Sequence, residues 1–224
     1  MWNEIKEILL SAHLDSVGGP GANDNASGVG VLLALAKHFS RHRGALKGRM
    51  RFVAFGAEEM GFLGSRAFVE RHASELSDGG MVINMDQIGG RGDVLAAVAQ
   101  APGGGRVRFP ANLRGRQFAT EKWRVFDPEL LSFTGGDYPS PGWLKDALTA
   151  CSQRTGVPVT LVHDVGSDNV AFYGTGLPVV ALVVDDSDSV EHSGRDTVDR
   201  VQAGSLAKVG AVVAALVAGE KESF

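Results

Sequence analysis

The sequence has a single cysteine, Cys151, so no internal disulfide can form. It has no excess of positive charge. Its 22 Lys and Arg stand against 26 Asp and Glu, a net −4, which gives no reason to expect nucleic acid or a membrane surface as partner. No apolar run approaches the roughly 18 residues that a membrane-crossing helix needs. The opening Met1-Trp2-Asn3-Glu4-Ile5-Lys6 lacks the apolar core of a secretory signal. No internal repeat and no low-complexity linker is found. These absences point to a soluble chain whose compartment stays open: cytoplasmic as it stands, exported if it is a piece of something longer. Its 224 residues, 44% hydrophobic and 21% charged, suit one globular domain over residues 1–224 with a buried core.

Short apolar runs that end in polar residues mark the strands. Glu7–Asp15, Arg51–Phe55, Met81–Met85 and Pro178–Val184 are of this kind. Helices are expected between them. One runs from about Ala26 to His42, with Val29, Leu32, Leu33, Ala36 and Phe39 on its apolar face. Another runs from Gly61 to His72, and a long one from Val198 to Val217, with Val201, Val209, Val213 and Leu216 buried. Alternating strands and helices predict an α/β fold. Residues 89–142, with Gly103-Gly104-Gly105 and Gly135-Gly136, read as irregular.

Acids and histidines gather at the ends of these strands. His13 and Asp15, two apart, share a face. A neutral imidazole ligates zinc well, and a nearby carboxylate can fix its tautomer. Asp24 and Asn25 precede a helix, where either could equally serve as an N-cap. Glu58-Glu59 follows a strand. Adjacent side chains diverge, so one can bind a metal while the other faces a reacting water; a helix start enriched in acids is the plain alternative. Asp86 closes another strand, and His192 lies in the polar loop after the last one. Each has an ordinary structural reading alone. Together they crowd the carboxyl ends of successive strands, where open α/β sheets bind ligands.

His13-Leu14-Asp15-Ser16, Gly21-Ala22-Asn23-Asp24-Asn25-Ala26-Ser27-Gly28, Phe55-Gly56-Ala57-Glu58-Glu59-Met60-Gly61, Asn84-Met85-Asp86 and His192-Ser193-Gly194-Arg195-Asp196-Thr197 resemble, in order and spacing, the motif series of peptidase family M28. The resemblance runs from about residue 8 to residue 218. It implies a three-layer α/β/α sandwich around a mixed, mostly parallel sheet, and a zinc exopeptidase acting on a peptide or small amide. It further implies two Zn2+ ions: His13 and Asp86 on one, Glu59 and His192 on the other, Asp24 bridging. Glu58 would be the general acid/base and Asp15 would orient His13. The Asp24–Asn25 peptide is expected to be cis, and Ser167-Asp168 resembles a further motif at the rim of the site.

The chain departs from the family pattern in three places. Little precedes the strand bearing His13, where relatives carry further strands; a truncated chain would leave that strand at or near an open sheet edge, and a homo-oligomer is then expected. Glu191 stands where relatives often place a tyrosine that helps hold the oxyanion, and Gln87 where an apolar residue is usual. Aminopeptidase is the leading expectation. Its rivals are a carboxypeptidase, with the basic stretch Arg106–Arg124 as a lid that clamps a carboxylate, a one-zinc glutaminyl cyclase, and a non-catalytic receptor-like domain. His38 and His42 read as a solvated helix face, His72 and His163 as surface or supporting residues, and Cys151 as core.

Overall fold

A computed structural model describes residues 5–42, 48–76, 79–98, 141–162 and 165–219. The first apolar run forms strand β1, Glu7–His13. Its alternation sends Ile8, Leu10 and Ala12 into the core on one face and Leu9 into a smaller cluster on the other. Strand β2, Arg49–Phe55, and strand β3, Gly80–Met85, pair with β1 on either side, both parallel to it. Strands β4, Val94–Val98, β5, Val159–Val162, and β6, Val179–Val184, complete a six-stranded sheet of order β2-β1-β3-β6-β4-β5. Only the β4–β6 pairing is antiparallel among these. The sheet is therefore mixed and mostly parallel, as expected.

Helices cover both faces. On one side lie α1, Gly28–Arg41, α3, Gly142–Thr155, and α4, Ala203–Ala218. They bury Val31, Leu32, Leu35 and Phe39, then Leu144, Leu148 and Cys151, then Val209, Val212, Val213 and Leu216 against the sheet. On the other side, α2, Leu63–Leu76, and the 3-10 helix Asp168–Thr175 close over Leu9, Phe55, Val82 and Val179. No helix among the described residues is long and apolar enough to cross a membrane.

Several expectations are corrected. Leu33 is 65% exposed. The buried stripe of α1 is Gly28, Val31, Leu32, Leu35 and Phe39, an i, i+3, i+4, i+7 pattern that turns Leu33 about 100° away from Leu32. The last long helix is broken: a 3-10 turn, Val198–Arg200, precedes two extended residues, Val201 and Gln202, before α4 begins. Residues 89–142 are not irregular throughout, since β4 lies within them; residues 99–140, including the basic stretch, lie outside the described residues. β1 itself lies one strand in from an edge: among the described residues the edge beside it is β2, so β1 is near an open edge rather than at one.

Candidate metal centre

β1, β2, β3 and β6 run parallel, so their carboxyl ends open on one side of the sheet, and every predicted site residue lies there. His13 is the last residue of β1. Asp86 follows β3 directly, Glu58 and Glu59 follow β2, and His192 lies in the loop after β6. Asp24 sits in an irregular helical turn, Ala22–Ser27, just before α1. Its peptide bond to Asn25 is cis.

Local backbone conformation aims these groups. Ala57, Gln87 and His192 all adopt left-handed φ values, of 57°, 48° and 54°. Such values are costly for residues with a Cβ and persist where surroundings over-determine them, often at functional sites. Each lies at, or next to, a predicted site residue. Side chains then fix the loops. Asn25 donates to the Met85 carbonyl at 2.9 Å and accepts the Gly28 N–H at 2.9 Å. Asn23 accepts the Gly89 N–H at 2.7 Å, and the Ser27 hydroxyl donates to the Asn23 carbonyl at 2.6 Å. Asp15 accepts the N–H of Glu58 at 3.1 Å and of Glu59 at 3.2 Å. His13 Nδ1 meets the backbone carbonyl of Asp15 at 3.0 Å, with the carboxylate at 3.7 Å. Asp15 thus holds the glutamate turn as well as the imidazole, a role with no local signal in the sequence.

Two groups of ligand atoms result. His13, Asp24 and Asp86 form one, and Asp24, Glu59 and His192 the other. Asp24 divides its carboxylate between them: Oδ1 is 3.2 Å from His13 Nε2, and Oδ2 is 3.0 Å from His192 Nε2. His13 Nε2 is 3.2 Å from Asp86 Oδ1, and His192 Nε2 is 2.8 Å from Glu59 Oε2. Glu58 is buried beside the first group, its Oε2 4.0 Å from His13 Nε2.

Electrostatics show what the cluster demands. Burial alone would lower the His13 imidazole, but the charge of Asp86 and the hydrogen bonds it donates to Asp15, Asp24 and Asp86 hold it well above its ordinary value. His192, likewise opposed by burial, is raised to about 10 by Asp24 and Glu59. Burial would raise Asp24, yet its bonds to both histidines bring it down to about 2. Burial raises Glu59, and burial with Asp86 nearby raises Glu58 further. The gathered acids thus favour positive charge in the cluster, which a bound cation would supply. Glu59 Oε1 and His192 Nδ1 are buried without hydrogen-bond partners, which a structure rarely tolerates without reason. Imidazole nitrogens and carboxylate oxygens are the donor set zinc favours, and the residues present fit a pair of such ions.

Deeper in the site, Ser11 donates to Asn84 Oδ1 at 2.8 Å and Asn84 donates to Ser167 Oγ at 2.9 Å, which ties the Ser167-Asp168 segment to the sheet. Asp168 itself is 0% exposed. The described histidines set aside as non-ligands stay out of the cluster: His38 and His42 stack on each other at 4.5 Å, and His72 pairs with Glu75 at 3.1 Å. His163 lies outside the described residues.

The profile of Peptidase family M28 matches residues 3–217, and the chain belongs to that family. Among curated proteins, it is 42% identical over 85 residues to "Aminopeptidase YwaD" of Bacillus subtilis, a match covering 37% of this chain and 18% of that protein. It is 38% identical over 99 residues to "Leucine aminopeptidase 2" of Trichophyton rubrum, covering 39% and 20%. Among solved structures, a zinc aminopeptidase from Bacillus subtilis superposes with a TM-score of 0.69 at 22% identity, covering 98% of this chain and 47% of that one. An aminopeptidase from Aneurinibacillus sp. strain AM-1 gives 0.68 at 24%, covering 97% and 45%. The chain thus spans about half the length of those structures, and at this identity they establish the fold.

Proposed function

We propose that this chain is a zinc-dependent exopeptidase that removes residues from the amino terminus of peptides or small amides. The observation that carries the reading is the pair of ligand groups sharing Asp24, whose two carboxylate oxygens face different histidines. In this reading His13 and Asp86 would hold one zinc and Glu59 and His192 the other, with Asp24 belonging to both groups. Zinc bound there would supply Lewis acidity toward a water and the scissile carbonyl. Glu58, buried and free of metal duty, takes the proton of the attacking water and returns it to the leaving amine. Asp15 holds Glu58 and His13 in register through the bonds described above.

The choice of the amino terminus over the carboxyl terminus rests on the relatives that the chain matches, which are named aminopeptidases. Glu191, an anion, cannot stabilise an oxyanion; a bound metal would contribute that stabilisation. Pairing of β2 with a second copy belongs to the same proposal, since β2, beside the strand bearing His13, is one of the sheet's two edges among the described residues; a monomer across a wide concentration range in solution scattering would refute that part.

Two measurements test the activity. Metal analysis after dialysis against low zinc is expected to give two ions per chain; one ion under saturating zinc would favour the cyclase reading. Aminoacyl chromogenic substrates are expected to be hydrolysed with zinc and spared after chelation. Hydrolysis of carboxyl-terminal substrates alone would overturn the aminopeptidase assignment.

A further inference from the structure

Asp24 and His192 come from loops far apart in sequence, and these loops are joined at their backbones. The join centres on Asp196, which is 2% exposed. Its Oδ1 accepts the Asn23 N–H at 2.8 Å and its Oδ2 accepts the Asp24 N–H at 3.0 Å. Its carbonyl accepts the Ala22 N–H at 3.2 Å, while its own N–H donates to the Ser193 carbonyl at 3.1 Å. A second contact presses the loops together a few residues away. A Cβ on Gly18 would lie 2.6 Å from the His192 carbonyl oxygen, and one on Gly19 would lie 1.9 Å from that of Ser193. Both obstacles are backbone atoms, which cannot swing aside as a side chain can.

We propose that Asp196, with the Gly18-Gly19 contact, is a clamp that positions Asp24 and His192 as one unit, so that the Asp24–Glu59–His192 group depends on it more than the His13–Asp24–Asp86 group does. The asymmetry follows from where the ligands are rooted. His13 and Asp86 stand at the ends of β1 and β3, which pair directly through registers such as Ser11 with Asn84, so the clamp governs only one of that group's three ligands. In the second group it governs two. Asp196 is a positioning residue, since both its oxygens are spent on backbone N–H groups. The inference rests on the two-metal reading above.

The test combines zinc titration against a competing chelator with amide hydrogen exchange on the metal-free protein, for Asp196→Ala, Asp196→Asn and Gly19→Ala. Loss of a residue that supports a ligand typically weakens metal affinity about 10-fold to 100-fold. That loss is expected for the second zinc in Asp196→Ala and Gly19→Ala, with the first zinc held within a few-fold. Asp196→Asn keeps one acceptor oxygen and should fall between Asp196→Ala and the parent. In the metal-free protein, the Asn23 and Asp24 amides should exchange faster in both Asp196 variants while those of Leu10 and Ile83 do not change. Equal weakening of both zincs, unchanged zinc binding, or unchanged Asn23 and Asp24 protection would overturn the clamp. Should Asp196→Ala fail to fold, the other two variants decide the question. If the parent protein binds only one zinc, the two-metal reading fails, and the exchange data still test the clamp by themselves.

Discussion

Glu58 and Glu59 share one turn, yet Glu58 is 7% exposed and lies 4.0 Å from His13, whereas Glu59 reaches His192 at 2.8 Å. Glu58→Gln is therefore expected to lower kcat by about 100-fold to 10,000-fold, the usual range for general acid–base work, with zinc content retained. Glu59→Gln should instead weaken zinc binding. Equal zinc content in both variants at limiting metal would refute this division. Asp168 poses a different problem, as neither of its buried oxygens has a hydrogen-bond partner. Burial pushes its carboxyl up to about 7; the nearby Ser65 hydroxyl would counter this, but donates to the Phe62 carbonyl at 3.1 Å. An unfolded aspartate titrates near 3.9, as a rough reference. Between about 4 and about 7 the folded chain keeps this proton and the unfolded chain does not, so stability falls as pH rises through that window. Asp168→Asn removes the titration. Relative to the parent, the metal-free variant should gain stability from pH 5 to pH 8, by at most about 4 kcal/mol, measured by urea unfolding in chelator. Parallel pH dependence in the two proteins would contradict this assignment.

At the scale of elements, the 3-10 helix Asp168–Thr175 buries one aromatic ring, that of Phe172, among its neighbours. Phe172 is 0% exposed and lies 6.1 Å from the Phe55 ring and 6.4 Å from that of Phe68. Phe172→Ala should cost about 3–5 kcal/mol in denaturant unfolding, as truncation of a buried aromatic does. Leu33→Ala on α1 should change stability by less than about 0.5 kcal/mol, because that side chain is largely in water. A large effect at Leu33 would restore the face first read for that helix. The contrast also marks what the sequence makes legible. Strands β1, β2, β3 and β6 are dense apolar runs with clear ends, and they were readable. β4 and β5 were not: Val94–Val98 follows the glycines at 89, 90 and 92, and Val159–Val162 has only four residues. The ligand residues were readable through their motifs and their places at strand ends. The bonds of Asp15, Asn25 and Asp196 were not, because each joins a side chain to backbone brought near only by the finished fold.

For the whole molecule, the candidate ligands span residues 13 to 192, so a zinc pair would bind the native state and have little hold on the unfolded chain. Free zinc at 100 times its dissociation constant should stabilise the protein by about 2.7 kcal/mol per site. For a chain of this size that is roughly 5–10 °C in Tm, lost again on adding chelator. A Tm indifferent to zinc would show that the acids and histidines gather for another reason.

The bond from Asp196 to Asp24 spans 172 residues of sequence. Contacts of such long range are expensive in chain entropy and slow to form. On the proposed two-zinc reading, the second site needs Asp24, Glu59 and His192 together, so a chain whose loop after β6 has not docked would lack His192 there. Zinc at that position would then report completed assembly, separating finished molecules from arrested ones in a refolding mixture.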